Sequence, residues 1–200
     1  MASFVANHLS PGTPEFRDYA EKARRESILW AQALLEAPGE NWLILDTETT
    51  GLGQDDEIVQ IGVIDGGGNV LMDNLHCAPS KRIPPEATAV HHITNDMVKG
   101  APNFFERYQE LTRIVEGRIV VIYNKAYDTR LIAQSVARFS ATIPLTPLRW
   151  ECAMLRYADF VGDWNEYHQN FRWPKLTGGD HSALGDCFAT LEVIRKMAGG

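Results

Sequence analysis

The sequence predicts an α/β domain, a mixed β-sheet flanked by helices, with a helical extension at its N-terminus. Three observations carry this. Trp42–Leu45 is an unbroken apolar run, as expected of a strand buried on both faces. Two further strand-like segments follow, joined by Gly66-Gly67-Gly68-Asn69, where the glycines supply the positive φ angles of a tight hairpin turn. Beyond them, helical and strand-like segments alternate. A meander followed by alternation argues for a mixed sheet.

With 200 residues the chain suits one domain with an appendage and can bury a proper core. We divide it into an N-terminal leader and helix, 1–40, and a main domain, 41–200. No segment approaches a membrane span and the N-terminus lacks a signal-peptide layout, so a cytoplasmic protein without a membrane partner is expected. Cys77, Cys152 and Cys187 are odd in number and widely spaced, which reads as reduced thiols. The net charge of −7 excludes a global basic field that would hold duplex DNA non-specifically. Bound cations would neutralise part of that charge.

Residues 1–12 read as a loose leader. Thr13-Pro14-Glu15 starts a helix, with Thr13 as N-cap and an acid near the positive end of the helix dipole. Phe16, Ala20, Ala23, Ser27, Trp30 and Leu34 form one face until Pro38-Gly39 stops it. This helix is expected to pack on the main domain, with a protein-partner role as the alternative. Strands are predicted at 42–47, 57–65 and 70–77, and short helices and turns over 83–102 with a cap at Thr94. A helix is predicted at 103–116, a second apolar strand at 118–123 and a helix at 125–139. A short strand within 144–151, a helix near 152–160, an irregular aromatic-rich stretch over 161–180 and a closing helix over 182–197 complete the chain. The stripe of the closing helix is Leu184, Phe188, Leu191 and Ile194.

Chemistry concentrates where strands end. Asp46 and Glu48 close the first strand two residues apart, so they project to the same side, and their repulsion calls for a proton or a cation between them. Thr49, Thr50 and Gly51 then turn the chain. Asn124 and Asp128, four apart at the start of a helix, share a face, and Asp128 heads the core stripe Ile132, Val136 and Phe139. His181 precedes the last helix on a glycine-hinged segment, and Asp186 lies within its first turns. An imidazole, with an unperturbed pKa near 6.5, suits proton abstraction near neutral pH. Read singly, the bland alternatives are a solvated acid pair, a helix-start acid favoured by the dipole, and an exposed loop histidine.

Taken in order, Asp46-x-Glu48, Asn124-x-x-x-Asp128 and His181-x-x-x-x-Asp186 resemble the DEDDh 3′–5′ exonucleases of the ribonuclease H-like superfamily. That family includes polymerase proofreading subunits and ribonuclease T. The resemblance runs from about Asn41 to Met197 and includes the Thr-Thr-Gly-Leu turn after Glu48. A further echo is His91-His92-Ile93-Thr94 with Met97 and Ala101-Pro102. It implies a ribonuclease H-like sheet and a phosphodiester hydrolase acting on 3′ ends of single-stranded DNA or RNA. It also implies two divalent cations, Mg²⁺ or Mn²⁺, at the metal set Asp46, Glu48, Asp128 and Asp186. Asp46, Glu48 and Asp186 would hold them, Asp46 bridging, and Asp128 would complete the acidic site through a metal-bound water. His181 would be the general base. Thr47, Thr50, Gly51, Leu52 and Asn124 would meet the substrate.

The chain departs from the family pattern in three places. Tyr123 stands where many members have histidine, His92 replaces a usual glycine, and the stretch 173–180 is short. Cys77, His91 and His92 fit no common zinc-ligand spacing. The aromatic series Tyr157, Phe160, Trp164, Tyr167, Phe171 and Trp173, with Arg156, Arg172 and Lys175, suits core packing or a homodimer surface ahead of base stacking. Two rivals stand beside the exonuclease. A non-catalytic nucleic-acid-binding or scaffold module of the same fold is opposed by the intact acidic and histidine set. A carboxylate-pair glycosidase leaves His181 and Asp186 without a task.

Overall fold

A computed structural model describes residues 9–139 and 145–200. The leader residues 1–8, and residue 144 of the short predicted strand, lie outside the described residues. Helix α1 (Pro14–Glu36) is followed by strands β1 (Trp42–Thr49), β2 (Ile58–Asp65) and β3 (Val70–His76). Helices α2 (Pro85–His91) and α3 (Phe104–Val115) lead to β4 (Ile119–Ile122) and α4 (Lys125–Ala137). Strand β5 (Arg149–Cys152), helix α5 (Ala153–Val161), a hairpin of β6 (Trp164–Asn165) and β7 (Asn170–Phe171), and α6 (Ala183–Ala198) close the chain. Among the described residues, no helix is long and apolar enough to cross a membrane.

The main sheet has the order β3-β2-β1-β4-β5, with β1–β3 antiparallel and β4 and β5 parallel to β1. This is the expected mixed sheet. Alternation along β1 divides the core. Trp42 and Ile44 join α1, α5 and α6 through Trp30, Leu34, Tyr157, Leu191 and Ile194. Leu43 and Leu45 join α3 and α4 through Leu111, Val115, Leu131 and Ile132. The face of each residue that continues β1 is set by this division.

Local signals explain the element ends. The Thr13 hydroxyl accepts from the Phe16 N–H at 3.2 Å, and Asn103 with Glu106 forms a capping box on α3. In the β2–β3 turn the Asp65 carboxylate accepts from the Gly67 and Asn69 N–H groups, with Gly68 at φ 87°. His92 has φ 61° at the C-cap of α2, a left-handed position that explains why glycine is the usual occupant there.

Three sequence expectations are corrected. The stretch 161–180 is not wholly irregular, because Trp164 and Phe171 pair across the β6–β7 hairpin. Two-residue strands carry too little periodicity to be read from sequence. Phe188 is 39% exposed, because α6 turns Ala183, Cys187, Leu191 and Ile194 toward the sheet instead. Phe139 leaves its stripe after the end of α4, also at 39% exposure, and stacks on Phe105 with centroids 5.7 Å apart. The three cysteines are free and buried, as expected.

Gly62, paired with Asp46 in the β1–β2 register, lets α6 sit directly on the sheet. A Cβ there would lie 2.5 Å from the backbone of Ala183 and Leu184. Gly62→Ala should therefore cost roughly 1–3 kcal/mol by overpacking, read as a lower urea midpoint. An unchanged midpoint would contradict this account of how α6 docks.

Candidate active site

The site assembles where the two faces of β1 run out of apolar residues. Asp46 and Glu48 continue the Trp42/Ile44 face, toward α6. Thr47 continues the Leu43/Leu45 face, toward α4, where its hydroxyl donates to Asp128 Oδ1 at 2.7 Å. Asp128 is buried within the first turn of α4. Asp186 comes from the first turn of α6.

Two polar side chains of the sheet hold that first turn. The Ala183 N–H donates to Gln60 Oε1 at 2.9 Å, and the Leu184 N–H donates to Asn74 Oδ1 at 2.8 Å. Ser182 caps the helix by accepting from the Gly185 N–H at 3.1 Å. Sequence reasoning missed Gln60 and Asn74. Their signal was a polar side chain inside an apolar strand. Helix N-termini leave N–H groups that such acceptors satisfy.

Carboxylate oxygens of Asp46, Glu48 and Asp186 lie within 4.8 Å of one another. Asp128 stands just outside this trio, engaged by Thr47. All five residues of the predicted acid and histidine set, with Asn124, line one cleft of about 550 Å³. Thr50, Gly51 and Leu52 line an adjoining cavity, and Thr47, Glu48 and Tyr127 line both. Leu52 is 80% exposed at the rim.

Electrostatics mark the trio as strained. Burial, then the charges of Asp128, Glu48 and Asp186, push the Asp46 carboxyl well above its ordinary range. Burial and the neighbouring Asp186, Asp128 and Asp180 raise Glu48 to about 8. Burial also raises Asp128 and Asp186. Asp186 Oδ1 is buried without a hydrogen-bond partner. A Cβ on Gly179 would collide with that same oxygen, so a larger residue there would displace the Asp186 carboxyl. Hard oxygen donors, mutual repulsion and an orphaned buried oxygen fit a divalent cation of the Mg²⁺ or Mn²⁺ type.

His181 has φ 58° and is exposed at the cleft. Asp180 shapes its loop by accepting from the Ser182 N–H at 3.0 Å and hydroxyl at 2.7 Å. His91 serves the fold instead. Its Nδ1 accepts from the Ile93 N–H, leaving Nε2–H to donate to the Thr49 carbonyl at 3.1 Å. Burial lowers its pKa, which keeps the ring neutral.

Sheet order and flanking helices define a ribonuclease H-like fold, with an acidic cleft at the end of its central strand. The comparisons with known proteins give the family. A model described as RNase_T exonuclease matches residues 43–194. The uncharacterized exonuclease CP81 of Escherichia phage 186 is 37% identical over 173 residues, 79% of this chain and 88% of that protein. The DNA polymerase III subunit epsilon of Treponema pallidum is 33% identical over 90 residues, 44% of this chain and 42% of that protein. The nuclease domain of 3′hExo, a DEDDh family member solved bound to rAMP, superposes with a TM-score of 0.60 at 14% identity, over 79% of this chain and 92% of that one. The chain belongs to the RNase_T exonuclease family and is by class a 3′–5′ exonuclease.

Raised carboxyl groups make the metal-free protein pH-sensitive. Folded Glu48 holds its proton more tightly than unfolded Glu48, so this contribution to stability is present at low pH. It is lost as pH rises from about 4.5 toward about 8. Asp56, Asp65 and Asp180 are shifted the other way, below 3.8, and act outside this window. In EDTA the Tm should therefore fall across the window, with Mg²⁺ reversing the fall and Glu48→Gln reducing it, the raised Asp46, Asp128 and Asp186 supplying the remainder. A Tm in EDTA that is level across the window, or insensitive to Mg²⁺, would contradict the repulsive trio.

Proposed function

We propose that this protein is a divalent-metal-dependent exonuclease that hydrolyses the terminal phosphodiester at the 3′ end of single-stranded DNA or RNA. In this reading residues 41–200 form the exonuclease domain and 1–40 its leader and supporting helix. The observation that carries it is the trio Asp46, Glu48 and Asp186, with an unpartnered buried oxygen, sharing one cleft with His181.

Asp46, Glu48 and Asp186 would hold the two cations, with Asp128 completing the acidic wall. When bound, such cations supply charge that stabilises the attacking and leaving oxygens of an in-line displacement. His181 takes the proton of the attacking water as general base. Its left-handed backbone at a glycine hinge supports this, because the ring can reach the cleft without disturbing the capped start of α6. Thr47 sets the Asp128 carboxylate through its hydroxyl.

The terminal nucleotide sits against the Thr50-Gly51-Leu52 turn and Asn124. The turn is braced for contact. The Thr49 hydroxyl donates to the Gly51 carbonyl at 2.9 Å, Tyr127 Oη donates to the same carbonyl at 3.0 Å, and Arg130 donates to the Leu52 and Gly53 carbonyls. Leu52 is then free to press on a base. A substrate gripped at one end by cations and local contacts is compatible with the net charge of −7.

5′-Labelled single-stranded DNA and RNA of equal sequence, incubated with Mg²⁺ or Mn²⁺, should give ladders shortening from the 3′ end, lost in EDTA and in Asp46→Ala. No product from either polymer with either metal would sink the proposal. His181→Ala should retain Mg²⁺-dependent thermal stabilisation yet lose roughly 10²–10⁴ in kcat, the scale of a missing general base. Near-normal turnover in that variant removes His181 from its role.

A further inference from the structure

The aromatic stretch 157–173 divides in two. Tyr157 and Phe160 are buried in the core beneath α1. Trp164 and Phe171 meet edge to face at 5.2 Å, and Phe16 and Tyr19 of α1 close on the same pair. Packing accounts for these four. Tyr167, 89% exposed, meets His168 edge to face at 4.8 Å and does not line the catalytic cleft. Trp173 is different again. It is 62% exposed and lines the catalytic cleft, and it also lines a second pocket of about 340 Å³ formed with Asn165, His168 and Arg172 of the hairpin region.

Lys175, two residues on, lines the catalytic cleft as its single lysine or arginine and forms no salt bridge among the described residues. Between them, the Pro174 carbonyl accepts from the Tyr123 hydroxyl at 2.8 Å. Tyr123 thus ties the end of β4 to the segment that carries both side chains. Behind the segment, the hairpin is held by α1 through Phe16 and Tyr19, and Arg172 is fixed by Asp163 at 2.9 Å.

We propose that Trp173 and Lys175 form a subsite for the nucleotide next to the 3′-terminal one, the indole stacking on its base and the ammonium facing its phosphate. This rests on the exonuclease reading above. Every base has a π-face, so such a grip is tolerant of sequence and serves an enzyme that moves stepwise along a strand. The lysine supplies positive charge to a cleft that holds the four carboxyl groups of Asp46, Glu48, Asp128 and Asp186. Tyr123 is a positioning residue, acting through the Pro174 carbonyl.

The test is a cycle between protein and substrate. Wild type, Trp173→Ala, Trp173→Phe and Tyr123→Phe are compared on single-stranded DNA and RNA, each intact or with an abasic residue in the penultimate position. Trp173→Ala should raise KM on the intact strands roughly 10-fold, Trp173→Phe much less, and Tyr123→Phe by an intermediate factor. The abasic lesion should raise KM for wild type by a similar factor, and Trp173→Ala should add no further loss on the abasic strand. An unchanged KM for Trp173→Ala, or penalties that simply multiply, overturns the subsite. A loss on DNA but not RNA, or the reverse, assigns the stack to that polymer. Absence of hydrolysis by wild type would refute the exonuclease reading alone. Anisotropy of the same labelled strands with Ca²⁺ then judges the subsite, and loss of affinity in Trp173→Ala confined to the intact strand supports it.

Discussion

Repulsion among Asp46, Glu48 and Asp186 is the constraint on which the rest of the structure depends. Three carboxylates brought within a few ångströms in a recessed cleft destabilise the fold unless protons or cations intervene. Their shared cleft must therefore be built by rigid elements that would not splay apart. Strand β1 is paired on both sides, and α6 is docked on the sheet at a glycine and pinned by two side-chain acceptors. The acidic trio is held together by hydrogen bonds and packing around it, and a divalent cation would convert the stored repulsion into binding energy.

The two faces of the sheet divide the chemistry. On the α6 face lie the trio and the His181 loop. On the α4 face lies Asp128, set by Thr47, whose side chain belongs to the same strand as Asp46 and Glu48 but points the other way. One β-strand thus serves both walls of the cleft. The turn after it, braced by Tyr127 and Arg130, forms the rim.

The N-terminal helix has a structural consequence beyond covering the core. Its C-terminal half supplies Trp30, Ala31 and Leu34 to the packing against α5 and α6, while its N-terminal half presents Phe16 and Tyr19 to the β6–β7 hairpin. The hairpin leads directly into the segment Trp173–Lys175 on the cleft wall. A helix that lies outside the main sheet is in this way connected to the wall of the acidic cleft.

Much was legible in the sequence, for reasons of period and end chemistry. Apolar runs fix strands buried on both faces, alternation puts Asp46 and Glu48 on one side, and Thr13 sits at a helix start where N–H groups need acceptors. The order of three short motifs was enough to group the acids with His181. Alternation names a side but not the neighbour on it; the family resemblance grouped Asp186 with Asp46 and Glu48, and only the tertiary structure showed that Thr47 holds Asp128. Only packing could show that Gly62, Gln60 and Asn74 seat α6, because each acts across the sheet on residues more than a hundred positions away. The hairpin and the exposed Trp173 were likewise invisible as such, since an aromatic residue reads the same in sequence whether it is buried against a helix or left facing a cleft. Local physics determined the elements and the chemical groups at their ends. Long-range docking decided which of those groups meet.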